Sequence, residues 1–290
     1  MFRASAATVD LDPPVGGRMI GFSARAKPST GVHDPIMARA VMLDDGRTKA
    51  VLVSCDLLGF EVSVSDEIRR RIGQACGTDA SNVLLACTHT HSSPDSLASE
   101  ADWVADAKER IVDMAGGLVP ALKPARLSHG LTTVTGIGYN RESDQHQIDE
   151  SLGVIGIDGA DGQAIATIIN YATHAVVLGP DNLEYSADFP GEVCRHVARL
   201  RGGVGIYLQG ACGDVDPVVY RDRGWGTGTF DDTDEIGKKL AEAAAEALAD
   251  VPAGRQGAPA TEKVKIDAAS KVIDVPLDAP PSQEEIDQVA

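Results

Sequence analysis

Aromatic side chains, basic residues and long apolar runs are all scarce in this chain. Only 4% of its 290 residues are aromatic, and 26 Lys and Arg stand against 43 Asp and Glu, a formal net charge of −17. A surface this acidic repels nucleic acid and anionic lipid, and no basic run offsets it. No window approaches the roughly 20 apolar residues that a membrane-spanning helix needs. The opening MFRASAATVDLDPP lacks the apolar centre of a signal peptide, so a cytoplasmic location is expected unless a leader has been removed. The cysteines, Cys55, Cys76, Cys87, Cys194 and Cys212, are odd in number and widely spaced, with no CxxC pair. They suggest neither a disulfide framework nor a zinc ribbon, and Cys55 and Cys87, in apolar runs, read as small core residues. Internal repeats and low-complexity linkers are missing as well.

What is present supports a folded domain. Hydrophobic residues make up 43% of the chain, enough for a sizeable core. RASAATVDL reads as a first strand, ended by Pro13-Pro14. IMARAVMLDD and KAVLVSCDLLGF are apolar runs split by the turn signal Asp45-Gly46, which predicts a hairpin. A second hairpin is expected where Asp161-Gly162 separates LGVIGID from AIATIINYATHAV. NVLLACTH, ARLSHGLTTV and GVGIYLQG read as further strands. VSDEIRRRIGQAC, DWVADAKERIVDMAGGLVPAL, FPGEVCRHVARL and DDTDEIGKKLAEAAAEALAD carry helical spacing, the last opened by acids and capped by Asp or Thr. EKVKIDAASKVIDVPL reads as a final strand after a short Ala/Gly/Pro loop near 252–260. The tail APPSQEEIDQVA reads as the start of another helix. Hairpins and β-α-β steps together predict an α/β fold, a mixed sheet with flanking helices. The expectation is one domain over residues 1–290, lacking a C-terminal portion.

Chemistry-bearing groups recur where strands end, and in sheets fed by helices ligands bind outside the carboxyl ends of strands. Asp56 follows VLVSC, His89 and His91 follow NVLLACT, and His174 follows TIINYAT. Asp214 and Asp216 follow GIYLQ, and Asp188 precedes a helix. In extended chain residues i and i+2 point the same way, so His89 and His91 can face one cavity. Neutral imidazole is the commonest zinc ligand, and a histidine off the metal can bond a reacting oxygen or move a proton. Each residue also has a structural reading. Asp56 can cap a turn, Asp188 can cap the helix that Pro190 opens, and His33 can bond backbone in its loop. His129, His146 and His196 are given no role.

These residues resemble a known family. CTHTHSSP is similar to the THTHSGP motif of the neutral ceramidases, zinc-dependent amidohydrolases that cut the amide of N-acylsphingosine. RAVMLDD…VLVSCDLLGF, GIGYNRE, INYATHAVVLG, SADFPG, LQGACGDVDP and FDDTDEIGKKLAE resemble further family segments in the same order, across nearly the whole chain. The resemblance implies His89 and His174 as zinc ligands and His91 as the neighbour that bonds the substrate oxygen or handles a proton. It also implies Arg141 lining the site and hydrolysis of an amide by metal-activated water. Three departures stand out. Asp216 occupies the place of a serine to which the family assigns a role in catalysis. Ser92-Ser93-Pro94-Asp95-Ser96 replaces the usual loop after the histidines. The family's remaining zinc ligands, a Glu and a Tyr, come from beyond residue 290, leaving Asp56 or Asp188 to complete the set.

The sequence therefore predicts a zinc hydrolase that cleaves the C–N bond of an N-acyl, lipid-like substrate. His91, Arg141, Asp216 and Asp56 are the candidate catalytic residues, and His89 and His174 the metal ligands. One alternative is a zinc hydrolase of a small polar ester or amide, such as a sugar derivative, which Asp216 favours because a carboxylate can orient a hydroxyl or an amine. Another is a catalytically inactive ligand-binding domain.

Overall fold

The computed structural model describes residues 1–143, 145–249, 257–269, 271, 273, 274, 276 and 280–283. In chain order the elements are β1 (Arg3–Asp10), β2 (Gly31–Val32), β3 (Met37–Asp44), β4 (Lys49–Cys55), α1 (Val62–Cys76), β5 (Val83–Cys87), α2 (Asp102–Gly117), β6 (Lys123–Thr133) and β7 (Gly138–Asn140). There follow β8 (Ser151–Gly159), β9 (Ala164–Tyr171), β10 (Glu184–Tyr185), α3 (Asp188–Arg201), β11 (Val204–Gln209), β12 (Val215–Pro217), α4 (Val218–Arg223), α5 (Phe230–Ala249) and β13 (Gly257–Thr261).

The main sheet runs β11-β9-β8-β6-β1-β3-β4-β5, with β13 added to β6. Both expected hairpins form: β3 pairs antiparallel with β4 and β8 with β9. The two helical crossovers give parallel pairs, β4 with β5 and β9 with β11. The sheet is thus mixed, as the alternation of hairpins and helices predicts.

This sheet coils until its two halves face each other, and β11 comes to lie against β3, β4 and β5. Between the halves sits a core of Ala4, Val41, Ile157, Ala166, Ile168 and Ile206. The outer face of the β1-β3-β4-β5 half packs on α1 and α2 through Val51, Val53, Ile68, Ile72, Ala107 and Ile111. The outer face of the β8-β9-β11 half packs on α3 and α5 through Val154, Ile169, Val193, Val197, Leu240 and Ala244. Both faces of the central strands are therefore buried. That is why they read as continuous apolar runs and not as alternating ones.

Helix ends follow local chemistry. At the end of α1, Gly77 takes φ 64°, and the N–H groups of Gly77 and Thr78 reach back to the carbonyls of Gln74 and Gly73. At the start of α5, Thr229 Oγ1 accepts from the N–H of Asp232 while Asp232 Oδ2 accepts from the N–H of Thr229, a reciprocal capping box. The cap is thus Thr229, ahead of the acid run.

Two readings of the C-terminal region change. Of the strand expected over 262–277, residues 263–269 carry no strand and residues 270, 272, 275 and 277 lie outside the described residues; the strand that forms is β13, Gly257–Thr261. Gly257 and Ala258 pair with Gly130 and His129 of β6, which leaves the downstream segment to pack Val264 and Ile266 on the core as irregular chain. The helix expected in the tail falls almost wholly outside the described residues. Among the described residues no helix is long and apolar enough to cross a membrane.

Candidate metal centre

The coiling brings the carboxyl ends of β5 and β9, one from each half of the sheet, to a common point. Three imidazoles meet there. The ring centroids of His89, His91 and His174 lie 5.1 Å (89–91), 4.9 Å (89–174) and 5.1 Å (91–174) apart. One nitrogen from each lies within 4.8 Å of the others.

His89 and His91 do converge, but not through strand alternation. β5 ends at Cys87, and His89 adopts φ 63°, a left-handed conformation uncommon outside glycine. Hydrogen bonds hold this kink. The His89 N–H donates to the Leu57 carbonyl and the His91 N–H to that of Ala175. His174 lies three residues beyond the end of β9, its N–H on the Val215 carbonyl.

Tautomers follow from the partners. Nδ1 of His89 bonds the Leu58 carbonyl at 3.0 Å, and Nδ1 of His174 bonds that of Cys212 at 3.1 Å. A carbonyl only accepts, so each Nδ1 carries the proton and each Nε2 presents a lone pair, the arrangement that orients imidazole toward a metal. His91 differs. Both of its ring nitrogens are buried without a hydrogen-bond partner among the described residues, an expensive state that a bound cation or substrate would relieve. Burial first, then the neighbouring His174 and His89, depresses its pKa to about 3. Burial also lowers His174 to about 4. Both rings are held neutral, the form in which imidazole binds metal. A divalent cation thus fits these residues.

His91 and His174 line a cavity of about 210 Å³, together with Phe22, Arg141, Asp216, Tyr220 and Trp225. Antiparallel pairing of β7 with β12 carries Arg141 and Asp216 there together. Asn140 Nδ2 on Asp214 Oδ2 at 2.7 Å and the Arg141 N–H on the Asp214 carbonyl lock the pairing. Arg141 Nη1 approaches Asp216 Oδ1 at 3.5 Å. Burial raises the Asp216 pKa, against the opposing pull of Arg141.

Asp56 is elsewhere. Its carboxylate is fully buried on Arg39 Nη1, 2.6 Å away, and on the Met37 N–H, and it stands outside the three-histidine group. It reaches the site only through the backbone, since it anchors the turn whose Leu57 and Leu58 carbonyls hold His89. Asp188 does not join the histidines either. It opens α3 with φ 56°, accepting from the N–H groups of Leu178 and Phe189. A second group, Glu192, His196 and Asp234, bridges α3 and α5, but Arg195 already engages Glu192.

Three residues escaped the sequence reading. Gln209, last in β11, donates from Nε2 to the carbonyls of Thr88 and Thr173, at 3.0 and 2.9 Å. It thereby ties together the residues just before His89 and His174. Arg25, buried in a Gly-rich loop, donates to the His91 carbonyl and to those of Gly179 and Pro180. Gly21, at φ 114°, backs the His91 ring so closely that a Cβ there would sit 2.5 Å from it. In the sequence Gln209 looks like an ordinary strand residue, and Arg25 like one of many loop cations.

The buried carboxyl of Asp188 sets up a test. Burial, partly opposed by its backbone hydrogen bonds, lifts its pKa to about 7, against about 3.9 in an unfolded chain. Between these values the folded state binds the extra proton. Its contribution is therefore fully present below about pH 4 and is lost as pH rises through 7. Relative to Asp188→Asn, the wild type should lose a few kcal/mol, to order of magnitude, between pH 5 and pH 8. Urea unfolding of both proteins at both pH values measures this, and parallel profiles would refute it.

Comparison with known proteins places the fold beside a known one. A family model described as neutral/alkaline non-lysosomal ceramidase, N-terminal, matches residues 6–108. The neutral ceramidase of Pseudomonas aeruginosa is 26% identical over 251 residues, 76% of this chain and 38% of its own length. That of Drosophila pseudoobscura pseudoobscura is 23% identical over 245 residues, 71% of this chain and 34% of its own. The crystal structure of neutral ceramidase from Pseudomonas aeruginosa superposes with a TM-score of 0.72 at 23% identity, over 86% of this chain and 45% of that one. The chain spans less than half the length of these relatives. Over residues 6–108 the chain is similar in sequence to the N-terminal part of the neutral/alkaline non-lysosomal ceramidases, and over most of its length it shares the fold of one of them.

Proposed function

We propose that the chain carries the zinc-binding, hydrolytic part of a ceramidase-like amidohydrolase, and that it cleaves the C–N bond of an N-acyl substrate. The observation that carries this reading is the convergence of three histidines, two with Nδ1 on a carbonyl and one with no partner at either nitrogen among the described residues. His89 and His174 would hold zinc through Nε2. Bound there, zinc supplies Lewis acidity, activating water and polarising a carbonyl. His91 faces the same point with a free nitrogen, able to bond the reacting oxygen or carry a proton from it to the departing amine. Arg141, at the cavity wall, offers N–H donors to an oxygen that gains negative charge. Asp216 holds the substrate's polar end. Both ring nitrogens of His91 are buried, which strengthens the contacts they make.

Two measurements test the proposal. Elemental analysis after dialysis should find about one zinc per chain, and none in His89→Ala or His174→Ala. The zinc-loaded chain should hydrolyse an N-acyl amide, and both variants should lose that activity. Failure to take up zinc when it is added back, or full turnover by either variant, overturns it. Ligand binding without turnover would favour an inactive binding domain.

A further inference from the structure

The walls of the same cavity bear on the substrate. Asp216 is 5% exposed, and among the described residues its only side-chain partner is Arg141, at a long 3.5 Å. Arg141 itself is half in water, its side chain 43% exposed. A loosely paired carboxylate and guanidinium, side by side at a cavity wall, present acceptors next to donors. A hydroxyl is both donor and acceptor, so neighbouring hydroxyls match this pair. A lone ammonium would contend with Arg141, and an alkyl chain would take both charges from water while bonding neither.

Trp225 supplies the other half. Its side chain lines the cavity yet is 60% exposed. An exposed indole in a chain this poor in aromatics stands ready to cover something apolar. It is also fixed in place. Gly224 and Gly226 take φ 105° and 76° on either side of it, and Gly228 bridges to Leu178. Where the loop crosses Gly179, a Cβ on that glycine would sit 2.3 Å from the Gly226 carbonyl oxygen. Phe22 meets the indole edge-on at 5.8 Å. An exposed indole and a donor–acceptor pair lining one cavity fit a ring with one C–H face and a rim of hydroxyls.

Size points the same way. At about 210 Å³ the cavity is smaller than the ~300–1,000 Å³ that encloses a drug-sized ligand. The adjoining cavity that shares Ala24 sets the charges of Arg25, Lys27 and Asp181 among Ala26, Pro180 and Leu183, so an acyl chain running that way would meet charged side chains.

We infer that the site takes a small polyhydroxylated acyl derivative of the amino-sugar kind, its hydroxyls on Asp216 and Arg141 and its C–H face on Trp225. This rests on the hydrolase reading only for which bond is cut; binding itself needs only these three side chains. N-acetylglucosamine is the probe. The chain has two tryptophans, so Trp103→Phe leaves Trp225 as sole reporter. Its fluorescence should shift saturably with N-acetylglucosamine. Calorimetry should show affinity falling about tenfold or more in Asp216→Asn and in Trp225→Ala, a loss of about 1.4 kcal/mol each. Asp216→Asn keeps the side-chain shape and Trp225 is exposed, so both variants should fold. No saturable binding, unchanged affinity in both variants, or tighter binding of N-hexanoyl-hexylamine than of N-acetylglucosamine overturns the inference. The hydrolase reading fails separately. Binding that depends on Asp216 and Trp225, with no acyl amide cleaved by the zinc-loaded chain, sinks the hydrolase and leaves the sugar site standing. Cleavage of alkyl amides without N-acetylglucosamine binding does the reverse.

Discussion

Arg39→Met is expected to destabilise the protein by about 3–5 kcal/mol, because it leaves the Asp56 carboxylate buried without a counter-charge. Asp56 is 0% exposed and its Oδ1 has no hydrogen-bond partner among the described residues, so its charge is balanced chiefly through the Oδ2 contact with Arg39. Burial weakens the hold of Arg39 on its proton, but the surrounding acidic groups, Asp56 foremost and then Cys194 and Asp34, together more than restore it, and the guanidinium pKa is raised. Removing the cation removes the attraction and keeps the desolvation. The double variant Arg39→Met/Asp56→Leu should recover at least half of the loss, since replacing both ions by apolar groups is often close to neutral. Recovery falls short of complete because the Met37 N–H loses its acceptor at 3.1 Å. Urea unfolding of the three proteins decides the matter. A single variant within about 1 kcal/mol of wild type would mean that the pair behaves like a surface ion pair.

Asp56 also marks where sequence reasoning succeeded and where it failed. A polar residue directly after an apolar strand was a sound signal of a strand end, and hairpins, helices and parallel crossovers were legible from turn pairs and spacing. The three histidines were legible for the same reason, since each follows a buried strand. What strand ends do not reveal is which way a side chain turns. Asp56 faces Arg39 of the neighbouring strand β3, and Asp188 faces the backbone at the start of its helix. Periodicity could not supply the left-handed kink at His89, because a kink has no period. It also could not supply Gln209 or Arg25, whose partners are backbone carbonyls. A carbonyl is present at every residue, so no sequence pattern singles out the one a side chain will reach. Supports of this kind appear only once the two halves of the sheet face each other.

Those supports make the second large prediction. Arg25→Met should cost about 3 kcal/mol in global stability and loosen the His91 segment more than the rest of the molecule. Arg25 is buried, with no carboxylate among its partners in the described residues. Its guanidinium donates instead to carbonyls on three separate stretches, at Ile20, at His91, and at Gly179 with Pro180, and stacks over Phe22 at 5.0 Å. Burial lowers its pKa to about 10, which leaves it charged at neutral pH. Methionine fills much of the volume but offers no donor, so those carbonyls lose partners worth about 1–3 kcal/mol each where water cannot replace them. Lysine should rescue only part of the loss, because one ammonium cannot span the fork of a guanidinium. Gln209 still ties Thr88 to Thr173, so His89 and His174 keep their support and His91 is left as the loose member of the cluster. Hydrogen exchange reads this directly. The His91 amide, bonded to the Ala175 carbonyl, should lose protection in Arg25→Met by more than the central amides of β3 do. Equal loss at both places would reduce Arg25 to a general contributor to stability, and no loss at either would remove it from the account of how the cluster is held.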